Sequence, residues 1–183
     1  PSATGQQEVA ALIAQLKSGP EAIKISAAQR LSIFRDPAAA RALAACLRDD
    51  SREVRVAVAV ALATCGTRES VPPLLAALTD TEPHVAQAAA VALENLTGHA
   101  GAFDAFTPQL KARQAQAWRD WFDGTTWKKI EQELVERLKS DDRDVVRRAA
   151  VTLGHVGGDG ARDALRDCVA RLREDKAHIE WQK

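Results

Sequence analysis

LRDDSREVRVAVAVAL, from Leu47 to Leu62, decides the fold. An acidic turn (Asp49, Asp50, Ser51) leads through Val54 and Arg55 into an Ala/Val-rich run that closes on Leu62. Thirty-one residues later the chain reads LTDTEPHVAQAAAVAL, from Leu78 to Leu93, and 31 residues earlier LKSGPEAIKISAAQRL, from Leu16 to Leu31. A fourth copy, LKSDDRDVVRRAAVTL, runs from Leu138 to Leu153. Self-similarity at a fixed period marks a stack of supersecondary units, each unable to bury its apolar face alone.

Taken in isolation, Val56, Val58 and Val60 alternate with Ala as a strand would. The sister segment His84–Leu93 carries Gln87 within a run of Ala, which favours helix, and the shared register predicts helix for both. Each unit then reads as a helical hairpin. The first pair spans about 7–17 and 21–34, with Leu12, Ile13 and Leu16, then Ile23, Ala27 and Leu31, turned inward. In the second, Asp36 is the expected N-cap with Pro37 at the first helical position. Leu43 and Leu47 face Val54, Val58 and Leu62, and Gly66 stops the helix. The third places Pro72 and Pro73 in one first turn and Pro83 in the next, and ends by Gly98. The fourth carries Leu134, Leu138, Val145, Ala149 and Leu153. Gly157 to Gly160 reads as a turn, and Leu165 and Val169 open a fifth first helix that runs to about Trp181.

The period fails once. Sixty residues separate Leu78 from Leu138, so 29 extra ones lie within GHAGAFDAFTPQLKARQAQAWRDWFDGTTW, Gly98 to Trp127. An irregular loop to Phe106, a helix over about 108–122 and a break at Gly124 are predicted there. Phe103, Phe106, Trp118, Trp121, Phe122 and Trp127 crowd into this stretch, and Trp118, Trp121 and Phe122 form one stripe at i, i+3 and i+4. The stripe is expected to pack on the flanking repeats, with its edge open to a partner. The predicted organisation is a lead-in over 1–6, three repeats over 7–98, an aromatic insertion over 99–127, and a fourth repeat with a capping helix over 128–183. The array either ends there or continues beyond Lys183.

A Leu-x-Asp turn before a Val-Arg-x-x-Ala-Ala-x-x-Leu-like helix resembles HEAT repeats, most of all the short class known from phycobilin lyases. Leu47, Asp49, Val54, Arg55 and Leu62 carry the resemblance, with Leu78, Asp80, Val85 and Leu93, and with Leu138, Asp141, Val145, Arg147 and Leu153. Ser18 and Lys24 replace the Asp and Arg of the first copy, and Ala86 the Arg of the third. Leu-Thr-Gly at 96–98 followed by Trp118-x-x-Trp121 resembles an extension of bacterial HEAT proteins. The resemblance implies an all-α solenoid of about five hairpins acting as a scaffold. It also suggests, as an alternative, a lyase-like or DNA-repair-like enzyme or its accessory subunit.

Composition narrows the function classes. Apolar residues make up 46% and aromatics 4%, so the core is built of Ala, Leu and Val. Lys plus Arg (25) balances Asp plus Glu (25), which argues against a dedicated nucleic-acid binder. The longest apolar run, Val56–Ala63, falls far short of the roughly 18 residues that span a bilayer. The chain holds no Met; removal of an initiator or of a leader is the expectation, and the compartment stays open between cytoplasm and export. Cys46, Cys65 and Cys168 have no metal-type spacing and read as reduced, packed thiols.

No catalytic, metal or cofactor motif is present, and no cofactor is expected. Glu174 and His178 share a helix face without a third ligand. Arg143, Arg147 and Arg148 cluster, but Asp49, Asp80 and Asp141 are placed to pair with Arg55 and Arg147 as an internal ladder. The reading is a non-enzymatic adaptor for a protein partner. Its candidate contacts are Arg55, Val56, Val60 and Gln87 on the second helices, Trp121 and Trp127 in the insertion, and Arg148 beyond it. Val56, Ala59, Val60 and Ala90 are too apolar for an open groove, which points to a covered surface.

Overall fold

A computed structural model describes residues 3–181, with side chains through Arg173. It is all-α: ten α-helices and no strand among the described residues. The chain forms two compact units, residues 1–124 and 125–183.

The first unit stacks three hairpins and one further helix. The first helices are α1 (Ala3–Ser18), α3 (Pro37–Ala45) and α5 (Val71–Ala77); the second helices are α2 (Glu21–Leu31), α4 (Arg52–Cys65) and α6 (Pro83–Thr97). The insertion supplies α7 (Pro108–Asp123). Helix α4 lies between α2 and α6, and each hairpin closes on itself. The second unit holds α8 (Trp127–Arg137), α9 (Arg143–Val156) and α10 (Asp159–Trp181). The first unit therefore takes in the insertion as far as Gly124.

Local chemistry starts the helices where the sequence indicates. Asp36 accepts hydrogen bonds from Ala38 N and Ala39 N at 2.7 and 3.1 Å, with Pro37 at the first position. Ser51 accepts from Val54 N at 3.2 Å, and the Val-alternating run 52–65 is helix throughout. Gly98 ends α6 with φ 67°, the only positive φ among the described residues, a conformation that a side chain disfavours.

The repeat register sets the core. Leu12, Leu16, Leu43, Leu47, Leu74, Leu78, Leu134 and Leu138 are all buried, as are Val54, Val58, Leu62, Val85, Ala89 and Leu93. Each such Leu or Val side chain contributes about 1.5–3 kcal/mol of transfer free energy.

Several details differ from the sequence reading. Helix α1 begins at Ala3, four residues before Gln7. Ile23 is exposed, because α2 turns Ala27, Ala28 and Leu31 inward. Ala59 and Ala90, expected in the open groove, are buried. Val145 is half-buried while Val146 is buried. Asp159 and Gly160 already belong to α10, so the turn is Gly157-Gly158. The Glu174/His178 side chains lie outside the described residues; among those described, no three His, Cys, Asp or Glu groups could hold a metal. Cys46, Cys65 and Cys168 are free thiols, and burial pushes the Cys65 pKa up to about 11. No described helix is long and apolar enough to cross a membrane.

Candidate functional site: a valine-floored groove between two ladders

The second helices of the first unit are tied at both ends. At their N-terminal ends, Lys24 Nζ meets Asp49 Oδ2 at 2.6 Å. One period on, Arg55 takes Asp80 with two bonds, Nε to Oδ2 at 2.8 Å and Nη2 to Oδ1 at 3.0 Å. Arg55 Nη1 also donates to the carbonyls of Asp49 and Asp50 at 2.8 and 3.2 Å. The Asp49 bond lifts the Lys24 pKa, and the Asp80 bond lifts that of Arg55. Burial works to raise the Asp49 pKa, but the Lys24 and Ser51 hydrogen bonds outweigh it and hold the carboxyl below its ordinary value.

Ala86 stands where the third cation would, and the insertion fills in. Lys111 Nζ on α7 donates to Asp80 O at 2.8 Å, the carbonyl one period beyond the Asp49 carbonyl that Arg55 takes. At the other end, Asn95 Nδ2 donates to Ala63 O at 3.2 Å. Thr64 Oγ1, bonded mainly to Ala61 O at 2.9 Å, reaches Ser32 O at 3.5 Å.

Between the ladders lies an open groove of about 670 Å³ crossing α2, α4 and α6. Val56, Ala57, Val60 and Ala61 form its floor, and Gln29, Ser32 and Thr64 one end. Val60 is 56% exposed. Its position follows from α4 turning Val54, Val58 and Leu62 into the core, which leaves residues 56 and 60 on the outer edge. Arg52, Glu53, Glu82 and His84 form the other end. Arg52 Nε bonds Glu53 Oε1 at 2.8 Å and Nη1 lies 3.5 Å from Glu82 Oε2, while His84 Nδ1 is 3.1 Å from Glu82 Oε1. The His84 bond holds Glu82 below the usual carboxylate range, and the Arg52 bond does so for Glu53. The exposed Phe106 of the insertion loop meets His84 edge-on, centroids 5.4 Å apart.

Trp118, Trp121 and Phe122 pack on one another along α7. Trp118 is buried against Gly101, where an added Cβ would come within 2.6 Å of the indole; only glycine permits that approach. The Trp118 Nε1–H is buried there without a hydrogen-bond partner. His99 stacks on Trp121 at 3.9 Å and stands T-shaped to Trp118 at 4.9 Å. Asp104 organises the loop, accepting from Phe106 N and Thr107 N at 2.9 and 3.3 Å and from Thr107 Oγ1 at 2.8 Å.

Of the candidate contacts, the groove unites Val56 and Val60. Arg55 is spent in the ladder, its side chain 14% exposed. Gln87 is half-buried on α6 outside the groove lining, and Trp121 is half-buried on His99. Trp127 begins α8 and the exposed Arg148 lies on α9, both in the second unit. Arg147 pairs with Asp144 at 3.3 Å rather than with Asp141, because Val146 and not Arg147 holds the register of Arg55. Sequence reasoning passed over Glu82, His84, Gln29 and Ser32. Phe106 was visible but assigned to the cluster it leaves.

Residues 42–122 match the family model for HEAT repeats. The matched stretch covers the α3/α4 and α5/α6 hairpins and most of α7. No curated protein matches the chain. Among solved structures it is similar to an engineered protein, 22% identical over 88% of this chain and 69% of that one, TM-score 0.40. A second engineered protein is 24% identical over 88% and 68%, TM-score 0.41. A designed armadillo repeat protein in complex with the peptide (KR)4 is 18% identical over 90% and 72%, TM-score 0.41.

Proposed function

We propose that the chain is a non-enzymatic scaffold that holds a protein partner along the groove of α2, α4 and α6. One observation supports this above the others: Val60 stands open to solvent, with the half-buried Val56 beside it on the groove floor, on a helix whose own core residues are fully buried. An exposed apolar floor rimmed by polar groups marks an interaction site. The ladders fix the spacing of the three helices, so a partner meets a formed surface rather than one it must order. Phe106 extends the rim at His84, so the HEAT insertion contributes to the same surface. Arg52, His84 and the two glutamates orient the partner at one end.

A photo-crosslinking amino acid at position 60, in the full chain, tests this in native extract. Position 117, exposed on α7, serves as control. The expected result is a protein adduct from 60 and not from 117, with affinity for the identified partner falling at least about tenfold in Val60→Asp. Equal adducts from both positions, or a partner indifferent to Val60→Asp, would sink the proposal.

A further inference from the structure

A hollow of about 470 Å³ lies between the second and third hairpins and shares no lining residue with the α4 groove. Arg41 on α3 and Arg48, in the short helical turn Cys46–Arg48 that continues it, form one wall, with Ala44 and Ala45 between them. Glu69 and Ser70, from the turn Arg68–Ser70, and Pro73 of α5 form the other. Arg41 and Arg48 are seven residues apart, close to two helical turns, so they stand on nearly one side of the helix, about 10 Å apart along its axis.

These two cations are not balanced from within the chain. Lys24, Arg52 and Arg55 each hold a carboxylate. Arg41 and Arg48 are exposed, and neither makes an ion pair or side-chain hydrogen bond among the described residues. Glu69 on the facing wall is exposed and equally unpaired. The hollow therefore sets two guanidinium forks against one carboxylate, a surplus of one positive charge. Ser70 Oγ accepts from Thr67 N at 3.1 Å, which leaves its proton for an acceptor in the hollow. Forked donors match a carboxylate, and the small side chains of Ala44 and Ala45 leave room for one to approach both. At Arg48 the hollow runs into a second one of about 500 Å³, which shares Ala44, Arg48 and Pro73 and is lined by Asp49, Asp50 and Asp80. Those aspartates select the ligand. A nucleic-acid strand carries a charge at every nucleotide and would bring phosphates against them. A peptide with one or two acidic residues, otherwise uncharged, meets no such repulsion.

We infer that the hollow between α3 and α5 binds an extended acidic peptide segment, whose carboxylates are taken by Arg41 and Arg48. Small or proline side chains between the acidic residues rest on Ala44, Ala45 and Pro73. Ser70 adds a hydroxyl donor, and Glu69 limits how much negative charge the site accepts. The site is separate from the α4 groove and does not depend on it.

The test titrates the 15N-labelled full chain with an end-blocked Pro/Ala peptide carrying two glutamates three residues apart. In the polyproline II form these share one side, about 9 Å apart, near the spacing of the arginines. A twin has glutamine for each glutamate, and oligothymidylate of matched length serves as the nucleic-acid probe. The expected result is saturable amide shifts confined to residues 41–48 and 69–73, with Kd on the order of 0.1 mM. The glutamine twin binds about tenfold more weakly or worse, and so does oligothymidylate. Arg41→Gln with Arg48→Gln, at exposed positions that leave the circular dichroism unchanged, abolishes binding. Glu69→Gln tightens it about threefold by removing the opposing carboxylate, and Val60→Asp leaves it as it was. Equal binding of the glutamate and glutamine peptides, binding that survives the double variant, or no saturation overturns the inference. So does a Glu69→Gln chain that binds no more tightly, or oligothymidylate binding at least as well as the peptide, since the arginines would then serve a phosphate backbone.

Discussion

Helices α2, α4 and α6 and helix α9 come from copies of one sequence, yet they are held differently. In the first unit a cation at the register of Arg55 and a carboxylate at that of Asp80 join α2 and α4 each to the next repeat. In the second unit the same positions are Val146, buried, and Ser140, whose hydroxyl accepts from Asp142 N at 3.1 Å. The turn survives and the ion pair does not. The ion pair that α9 does carry, Arg147–Asp144, lies within the helix, both side chains 73% exposed. The repeat pattern thus specifies the hairpin, while one or two positions within it specify whether neighbouring hairpins are locked together.

The largest test of that contrast removes the closure of the laddered unit. Trp118→Ala empties the site against Gly101 and unseats α7, which carries Lys111. A large-to-small change at a buried Trp costs about 3–5 kcal/mol. Amide exchange should accelerate through α5, α6 and α7 far more than through α8 and α9. Uniform acceleration across both units would show that the two are not separate. Asp80→Ala comes next. It leaves Arg55 partly buried without its carboxylate, a change expected to cost about 2–3 kcal/mol, since breaking a buried pair on one side is the expensive case. Chemical denaturation of the variant measures it.

Acid provides the same contrast without mutation. Asp49 is held below its ordinary value, so its contribution is present above about pH 4 and is lost as pH falls through the depressed value. Lys24 is raised, so its contribution is intact below about pH 10 and lost as pH rises through the raised value. Between those limits the ladder should be insensitive to pH. Below them, exchange at the N-terminal ends of α2 and α4 should rise more than at α9, where Val146 stands in place of the cation. Equal loosening of α9 would remove the ladder as the cause.

Hairpin boundaries were legible in the sequence because caps and prolines act locally: Asp36-Pro37, Ser51, Pro83 and Gly98 each fix a terminus through a few bonds. The ladder was legible in the first unit for a related reason, as Lys24, Arg55, Asp49 and Asp80 recur at 31. It misled in the second unit, where an arginine one place along the helix, Arg147, points away from the position Arg55 occupies. The role of Lys111 was not legible, because it lies one period beyond Asp80 inside a stretch that otherwise abandons the period. The groove was legible in part. Val56 and Val60 follow from helical periodicity, but the closing of one end by Glu82 and His84, and the approach of Phe106, depend on how α6 and the insertion loop fold over α4. No spacing in the sequence encodes that.

The smallest expected effect is also the sharpest comparison. Asp144→Ala removes the partner of Arg147, as Asp80→Ala removes that of Arg55. Both aspartates face an arginine at hydrogen-bonding distance, and a count of ion pairs would rate them alike. The physics does not: at 73% exposure water replaces the lost carboxylate, so the change should fall between about 0 and 0.5 kcal/mol. The Asp80 pair, with side chains 14% and 12% exposed, has no such substitute, and Arg55 keeps only the Asp49 and Asp50 carbonyls. Measured in one background by the same denaturant titration, the two variants should differ several-fold in cost. If Asp144→Ala proved as costly as Asp80→Ala, burial would not be what separates the two units, and the difference would have to come from the hairpins themselves.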